Sequence, residues 1–262
     1  MEISFINDEF SDNIDEAISF AKKNKLKYIE LRKINGKNIT DLTTDEIYSL
    51  SEKISSAGIL VSAIYSSFLN WKVDCDKFSI NNQSVDSEVE YFNKLMDIAD
   101  ILGAPNICIY SYSKQDDIEI TTLGEKLDTY SQLALERGIT LLLEHKVNSN
   151  IDTINSLHKI FENYNFSNIL PLLNLGDTIM SGDDFVIAEL KDLISKCMYF
   201  HIKDYDCDLK RYVVLGEGNV DYENILSSKW NDNSTILSLT PSTGYQEDLQ
   251  MSLNILQALE DE

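Results

Sequence analysis

Short runs of β-branched, aromatic and aliphatic residues alternate with longer stretches of helical period from one end of the chain to the other. The strand-like runs cover residues 3–6, 28–32, 60–66, 106–111, 139–145, 169–176, 198–204 and 235–241. Eight runs in 262 residues give about 33 residues per repeat, the size of one strand-plus-helix step. The helices between them are punctuated in the same rhythm. Thr43 and Glu46 have capping-box spacing ahead of Ile47, Leu50 and Ile54, with Gly58 as a left-handed stop. Val89, Phe92, Leu95, Met96, Ala99 and Leu102 form the next stripe, ended by Gly103. Thr122 and Glu125 are predicted to open a helix carrying Leu123, Leu127, Tyr130, Leu133 and Ala134 up to Gly138, and Thr243 with Gln246 to open a last one carrying Leu249, Leu253 and Leu256.

Alternating strands and helices with no block of consecutive strands predict a parallel sheet, and eight units can close it. The expected fold is a (β/α)8 TIM barrel, one domain over residues 1–262. A doubly wound open sheet is the competitor, but it usually brings a glycine-rich phosphate loop after an early strand, and neither GxGxxG nor GxxxxGK[ST] occurs. The connection at residues 67–83 is the longest early one and places Trp71 near the mouth of such a barrel.

Charge narrows the partners. Lys and Arg number 22 against 44 Asp and Glu, a formal charge of −22, which repels nucleic-acid backbones and anionic lipid. No apolar run is long enough to span a bilayer, and the first residues lack a basic leader, so the expectation is a cytoplasmic protein with neither nucleic-acid nor membrane partners. Cys75, Cys108, Cys197 and Cys207 show no CxxC spacing and read as reduced thiols.

Active sites of these barrels gather at the C-terminal ends of the strands. The fifth run ends in Glu144, a carboxylate after three leucines, with His145 predicted to point to the opposite side. The seventh places His201 and Lys203 on one side by its period of two. Arg32 closes the second run and offers a planar fork for a carboxylate, phosphate or hydroxyl; a rim salt bridge is its ordinary alternative. Tyr65 and Trp71 could stack on a sugar face or simply pack, and Glu217 could reach the mouth or sit in a turn. His158 lies on a helical stretch and reads as surface.

Four segments in this order resemble the xylose isomerase-like TIM barrel family of sugar phosphate isomerases and epimerases: Tyr28-Ile29-Glu30-Leu31-Arg32, the run from Gly138 to Glu144, Phe200-His201-Ile202-Lys203-Asp204, and the stretch from Leu215 to Asp221. The resemblance spans nearly the whole chain. It implies a divalent metal held by Glu, Asp, His and Glu from strands five to eight, the two glutamates serving as acid and base. Glu144 matches the first ligand and His201 the third. At the second position the chain has Asn174, with Asp177 three residues on, and at the fourth it has Thr240. Glu144 is then the single carboxylate remaining at the matched positions, unless Asp177 reaches inward. Hard ions such as Mn²⁺ or Mg²⁺ need charged oxygens, so a weakly held ion and no ion at all are both expected readings.

Two functions of different class follow. One is an isomerase or epimerase, or a related dehydratase, moving a proton beside the carbonyl of a small polyhydroxy substrate, with Glu144 as base and Lys203 as electrophile. The other is a degenerate barrel that binds a carbohydrate or a partner protein without turnover, suggested by Asn174, Asp177 and Thr240. The DNA-repair endonucleases of the same superfamily resemble a histidine-rich three-metal site, and three histidines with a charge of −22 argue against them. Substrate identity and oligomeric state are not encoded in these patterns.

Overall fold

The computed structural model describes residues 1–261 apart from 72–77, 81–82, 86, 115–118, 183–189, 227–228, 230–231 and 233. Cys75 and much of the 67–83 connection lie outside the described residues. Eight barrel strands follow one another along the chain: β1 Glu2–Phe5, β2 Tyr28–Leu31, β3 Leu60–Tyr65, β4 Asn106–Ile109, β5 Thr140–Glu144, β6 Ile169–Asn174, β7 Tyr199–Ile202 and β8 Ile236–Leu239. They form one sheet in the order β1-β8-β7-β6-β5-β4-β3-β2, every ladder parallel. A single parallel bridge between Ile6 and Glu30 joins β1 to β2 and brings the sheet to near closure. The fold is the expected (β/α)8 barrel.

The helices that follow the strands in turn are α1 Ile14–Lys23, α2 Thr44–Ser56, α3 Glu88–Leu102, α4 Ile120–Arg137, α5 Ile154–Asn163, α6 Lys191–Lys196, α7 Tyr222–Leu226 and α8 Gln246–Asp261, with shorter helical segments at Asn7–Phe10 and Leu175–Met180. Both halves of the Thr43/Glu46 capping box are present, and Gly103 and Gly138 end α3 and α4 in left-handed backbone at φ 63° and 68°. Two expectations need correction. The helix α4 starts at Ile120, ahead of Thr122, with Glu119 in the cap position and no side-chain cap. Val89 is 43% exposed and belongs to the outer face of α3, because Tyr91 with Phe92 and Ile98 with Ala99 centre the buried stripe elsewhere. None of the described helices is long and apolar enough to cross a membrane.

Period two then sorts the strand residues. One set, including Ile29, Leu31, Leu141, Leu143, Phe200 and Ile202, packs with the helices into the large core. The other set lines the barrel: Ala63, Cys108, Leu142, Leu172 and Tyr199 form a smaller apolar plug. A bulge where Ser62 is the extra residue of β3 lets Ser62 as well as Ala63 contribute to this interior. The predicted runs overshoot the ladders by a residue or two at their C-terminal ends, since Arg32, Ser66 and Lys203 leave the sheet to build the mouth.

Candidate active site

Above the plug the barrel carries charge. Glu30, in the middle of β2, is fully buried, and its neighbours Ile29 and Leu31 face the helices, so its carboxylate points along the barrel interior. Tyr199 Oη donates to its Oε2 at 2.8 Å and Ser238 Oγ at 2.5 Å, while Cys108 Sγ approaches Oε1 at 3.4 Å. A chain of hydroxyls, Ser4 to Ser62 to Tyr199, supports this belt from below.

His201 stands between two carboxylates. Its Nε2 lies 3.1 Å from Glu30 Oε1 and its Nδ1 3.1 Å from Glu144 Oε1. Burial opposes the charge on the ring, but Glu30 and Glu144 outweigh it and push the imidazole up to about 10, so both nitrogens carry protons and both donate at neutral pH. For Glu144 burial again works against ionisation, and His201 with the Asn174 amide overrides it, holding the carboxyl down to about 2. Glu30 is lowered by the same partner despite its burial.

Asn174 ends β6 and caps the short helix Leu175–Met180. Its Nδ2 donates to Glu144 Oε1 at 2.7 Å and to Asp177 Oδ2 at 2.8 Å. With two carboxylates as neighbours, the donor end of the amide must face them. Asp177 sits one turn further on and receives Lys203 Nζ at 2.8 Å and Tyr212 Oη at 2.5 Å. Lys203 is thus held at the mouth by Asp177, close enough to Glu144 for its charge to help lower that carboxyl. Gly176 allows this approach, because a Cβ there would come within 2.5 Å of the Lys203 carbonyl oxygen.

On the other flank Tyr65 stacks on His201, ring centroids 5.5 Å apart, and its hydroxyl receives a short hydrogen bond from Tyr110. Burial, then the Glu144 charge, pushes both phenols well above their ordinary range, so they remain protonated. Glu144 Oε1 serves His201 and Asn174, whereas Oε2 is buried with no hydrogen-bond partner.

The predicted residues therefore separate into groups. Glu144, Asn174, Asp177, His201, Lys203 and Tyr65 are brought together. Arg32 reaches the rim, with Nε on Asp8 and Nη2 on Glu9, each at 2.8 Å, and stacks over the Tyr65 ring. Trp71 joins a separate aromatic cluster with Phe68 and Tyr91 and donates to Glu88 at 2.8 Å. Glu217 is exposed and lines a groove of about 620 Å³ with Tyr205, Lys210, Arg211 and Tyr212. His145 points away from Glu144 as expected and bonds Thr178, and His158 faces Glu162 on the surface of α5. Asp204 receives the backbone N–H groups of Gly216, Gly218 and Val220 and so fixes the loop that resembled a family motif. The sequence reading missed Glu30, Tyr110 and Tyr199. A carboxylate inside a strand expected to be buried on both faces was the available signal for the first.

The donors decide whether a divalent ion suits this site. Asn174 turns N–H groups toward the carboxylates, both ring nitrogens of His201 are engaged, and the Thr240 hydroxyl is directed at Glu9, 3.4 Å away. This set does not fit a hard ion such as Mn²⁺ or Mg²⁺. Glu30, Cys108 and His201 each offer one atom within 4.8 Å of the others. There the thiol would have to lose its proton, which burial and the two carboxylates oppose.

Comparison with known proteins agrees with this architecture. A family model described as xylose isomerase-like TIM barrel matches residues 10–229. An inosose dehydratase of Clostridium perfringens is 25% identical over 124 residues, which is 41% of this chain and 41% of that protein, so the match spans about two fifths of the relative's length. Among solved structures, the probable 3-DHS dehydratase AsbF of Bacillus anthracis superposes with a TM-score of 0.77 at 17% identity, covering 98% of this chain and 99% of its own. The IolI protein with a bound zinc atom gives 0.75 at 17% identity, covering 100% and 98%. At such identities the structural likenesses establish the fold.

Proposed function

Since the chain belongs to the xylose isomerase-like TIM barrel family, and its neighbours include epimerases as well as the dehydratases named above, we propose that it moves a proton beside the carbonyl of a small polyhydroxy substrate. The observation that carries this reading is Glu144: ionised, buried, anchored through Oε1 and vacant at Oε2. Glu144 is the base in this reading and Lys203 the electrophile that steadies the developing enediolate oxygen. A carboxyl held near 2 is a weak base, so most of the driving force must come from that stabilisation rather than from proton affinity. Tyr65 and Tyr110, protonated at neutral pH, supply hydrogen bonds to substrate oxygens on the opposite flank. No step passes through a metal ion, and dialysis against metal-free buffer is expected to leave no stoichiometric Mn²⁺ or Mg²⁺ by elemental analysis.

The test is solvent deuterium incorporation into a panel of ketoses and their phosphates. The parent protein should exchange one of them, and Glu144→Gln should lose roughly 10²–10⁴ in rate while retaining binding. Undiminished exchange in the variant would remove Glu144 from the mechanism. A second reading, binding without turnover, is favoured by one observation: no carboxylate projects from the end of β8, where Thr240 meets a Glu9 already spent on Arg32. Saturable sugar binding with no exchange in either protein would support it.

A further inference from the structure

A cavity of about 210 Å³ opens beside the carboxylate cluster, and its lining is unlike the rest of this acidic surface. Arg32, Lys33 and Lys146 all border it, together with Asn70, Tyr65 and Tyr110. Arg32 is neutralised by Asp8 and Glu9. Lys146 has its ammonium over the Tyr110 ring, 4.6 Å from the centroid, and among the described residues no carboxylate lies within ion-pair reach of Lys146 or Lys33. In a chain with twice as many acidic as basic side chains, two lysines bordering one small cavity with no ion pair among the described residues are out of proportion. The summed field of the chain repels anions, so an anion can be held only where local cations and neutral donors overcome it.

The cavity also adjoins the chemistry. Tyr65 is a wall of it and, on its other face, stacks on His201, which is bonded to Glu144. A group held at Lys146 thus lies on the Tyr65 and Tyr110 side of the cavity, one ring away from the His201–Glu144 pair. The larger groove at Tyr205 and Tyr212 offers no such bias, since Lys210 and Arg211 are offset there by Glu217 and Asp248.

We propose that the substrate is anionic, a polyhydroxy carbonyl compound whose carboxylate or phosphate is held by Lys146 with Lys33 and the remaining N–H groups of Arg32. This rests on the proton-transfer reading for its placement of the carbonyl, but binding can be measured apart from turnover. The experiment is equilibrium competition on the intact chain with three probes: a neutral ketose, the same ketose phosphorylated, and the matching keto-sugar acid. One charged probe should bind roughly ten- to a hundredfold more tightly than the neutral ketose, the usual worth of a charge-assisted contact, with a preference that shrinks as salt rises. Which charged probe wins distinguishes phosphate from carboxylate. Lys146→Gln should abolish that preference and Lys146→Arg should largely restore it, which separates loss of charge from loss of fold. A neutral ketose that binds as tightly as both charged probes, or an anion preference untouched in Lys146→Gln, would overturn the proposal. Anion binding through Lys146 without deuterium exchange would sink the catalytic reading and leave this one standing; exchange confined to neutral ketoses would do the reverse.

Discussion

On the Asn174 and Lys203 side of the mouth nearly every charge has a partner of opposite sign or a hydrogen-bond donor: Glu30 to His201, His201 to Glu144, Lys203 to Asp177. On the Tyr65 and Tyr110 side the surfaces are aromatic, Lys146 rests on a ring, and a cavity stands open. The closed side is pre-organised, its dipoles and charges fixed before anything binds, as stabilising a developing oxyanion requires. The open side has few interactions of its own to lose, so it can exchange water for ligand at small cost. In the proton-transfer reading proposed above, one face orders the chemistry and the other takes hold of the molecule.

The comparison is most exposed to damage at Glu30. Replacing it with Ala removes one carboxylate of the buried set and leaves His201, Tyr199 and Ser238 without their shared acceptor. Breaking a buried ion pair from one side typically costs about 3–5 kcal/mol, and a loss of that size is expected in urea denaturation. A loss below about 1 kcal/mol would mean that the closed side is not held by its charges.

The alkaline and acid limbs of stability should also be set by the closed side. His201 is raised from its ordinary 6.5 to about 10, so its contribution is complete below 6.5 and is lost progressively as pH climbs toward 10. Glu144 is lowered from 4.5 to about 2, so its share is complete above 4.5 and is lost as pH falls through 2. Thermal melts in chelator-treated buffer should therefore show a plateau between these limits, from about pH 4.5 to 6.5, with a decline on both sides. His201→Gln should flatten the alkaline decline. Stability still rising between pH 7 and 9 would place a different group in control.

How much of this was legible in the sequence differs between the same two sides. The barrel itself follows from local pattern, because eight apolar runs at even spacing and glycine-stopped helices such as those ended by Gly103 and Gly138 each specify their own element. Glu144, His201 and Lys203 were visible because each stands at or near the end of an apolar run. Glu30 was hidden: it lies within its strand, and its meaning depends on His201, far along the chain, which only closure of the barrel brings to 3.1 Å. Arg32 drew attention as the residue closing the same run, and two residues of the short helix Asn7–Phe10 after β1, Asp8 and Glu9, engage it, a pairing set by tertiary packing. Tyr110 and Lys146 escaped notice for a related reason, since an aromatic residue and a lysine at strand ends are ordinary until their partners, or the lack of them, are seen in space.

The smallest expected effect, and the sharpest check on the asymmetry, comes from Tyr65→Phe. The substitution keeps the ring against His201 and removes the hydroxyl that accepts from Tyr110. One neutral hydrogen bond between partly buried side chains is worth about 0.5–1.5 kcal/mol, and the Tyr110 hydroxyl, bordering an open cavity, can bond water instead. Stability should therefore fall by no more than about 1 kcal/mol, well under the loss expected for Glu30→Ala. Ligand affinity should suffer more than stability does, because in the complex the phenol pair faces substrate oxygens that water would otherwise satisfy. Measuring both in one preparation, by urea denaturation and by equilibrium binding of the preferred probe, gives the comparison directly. A variant as unstable as Glu30→Ala with unchanged affinity would show that Tyr65 belongs to the closed side, and that the boundary between the two halves of the mouth lies beyond it.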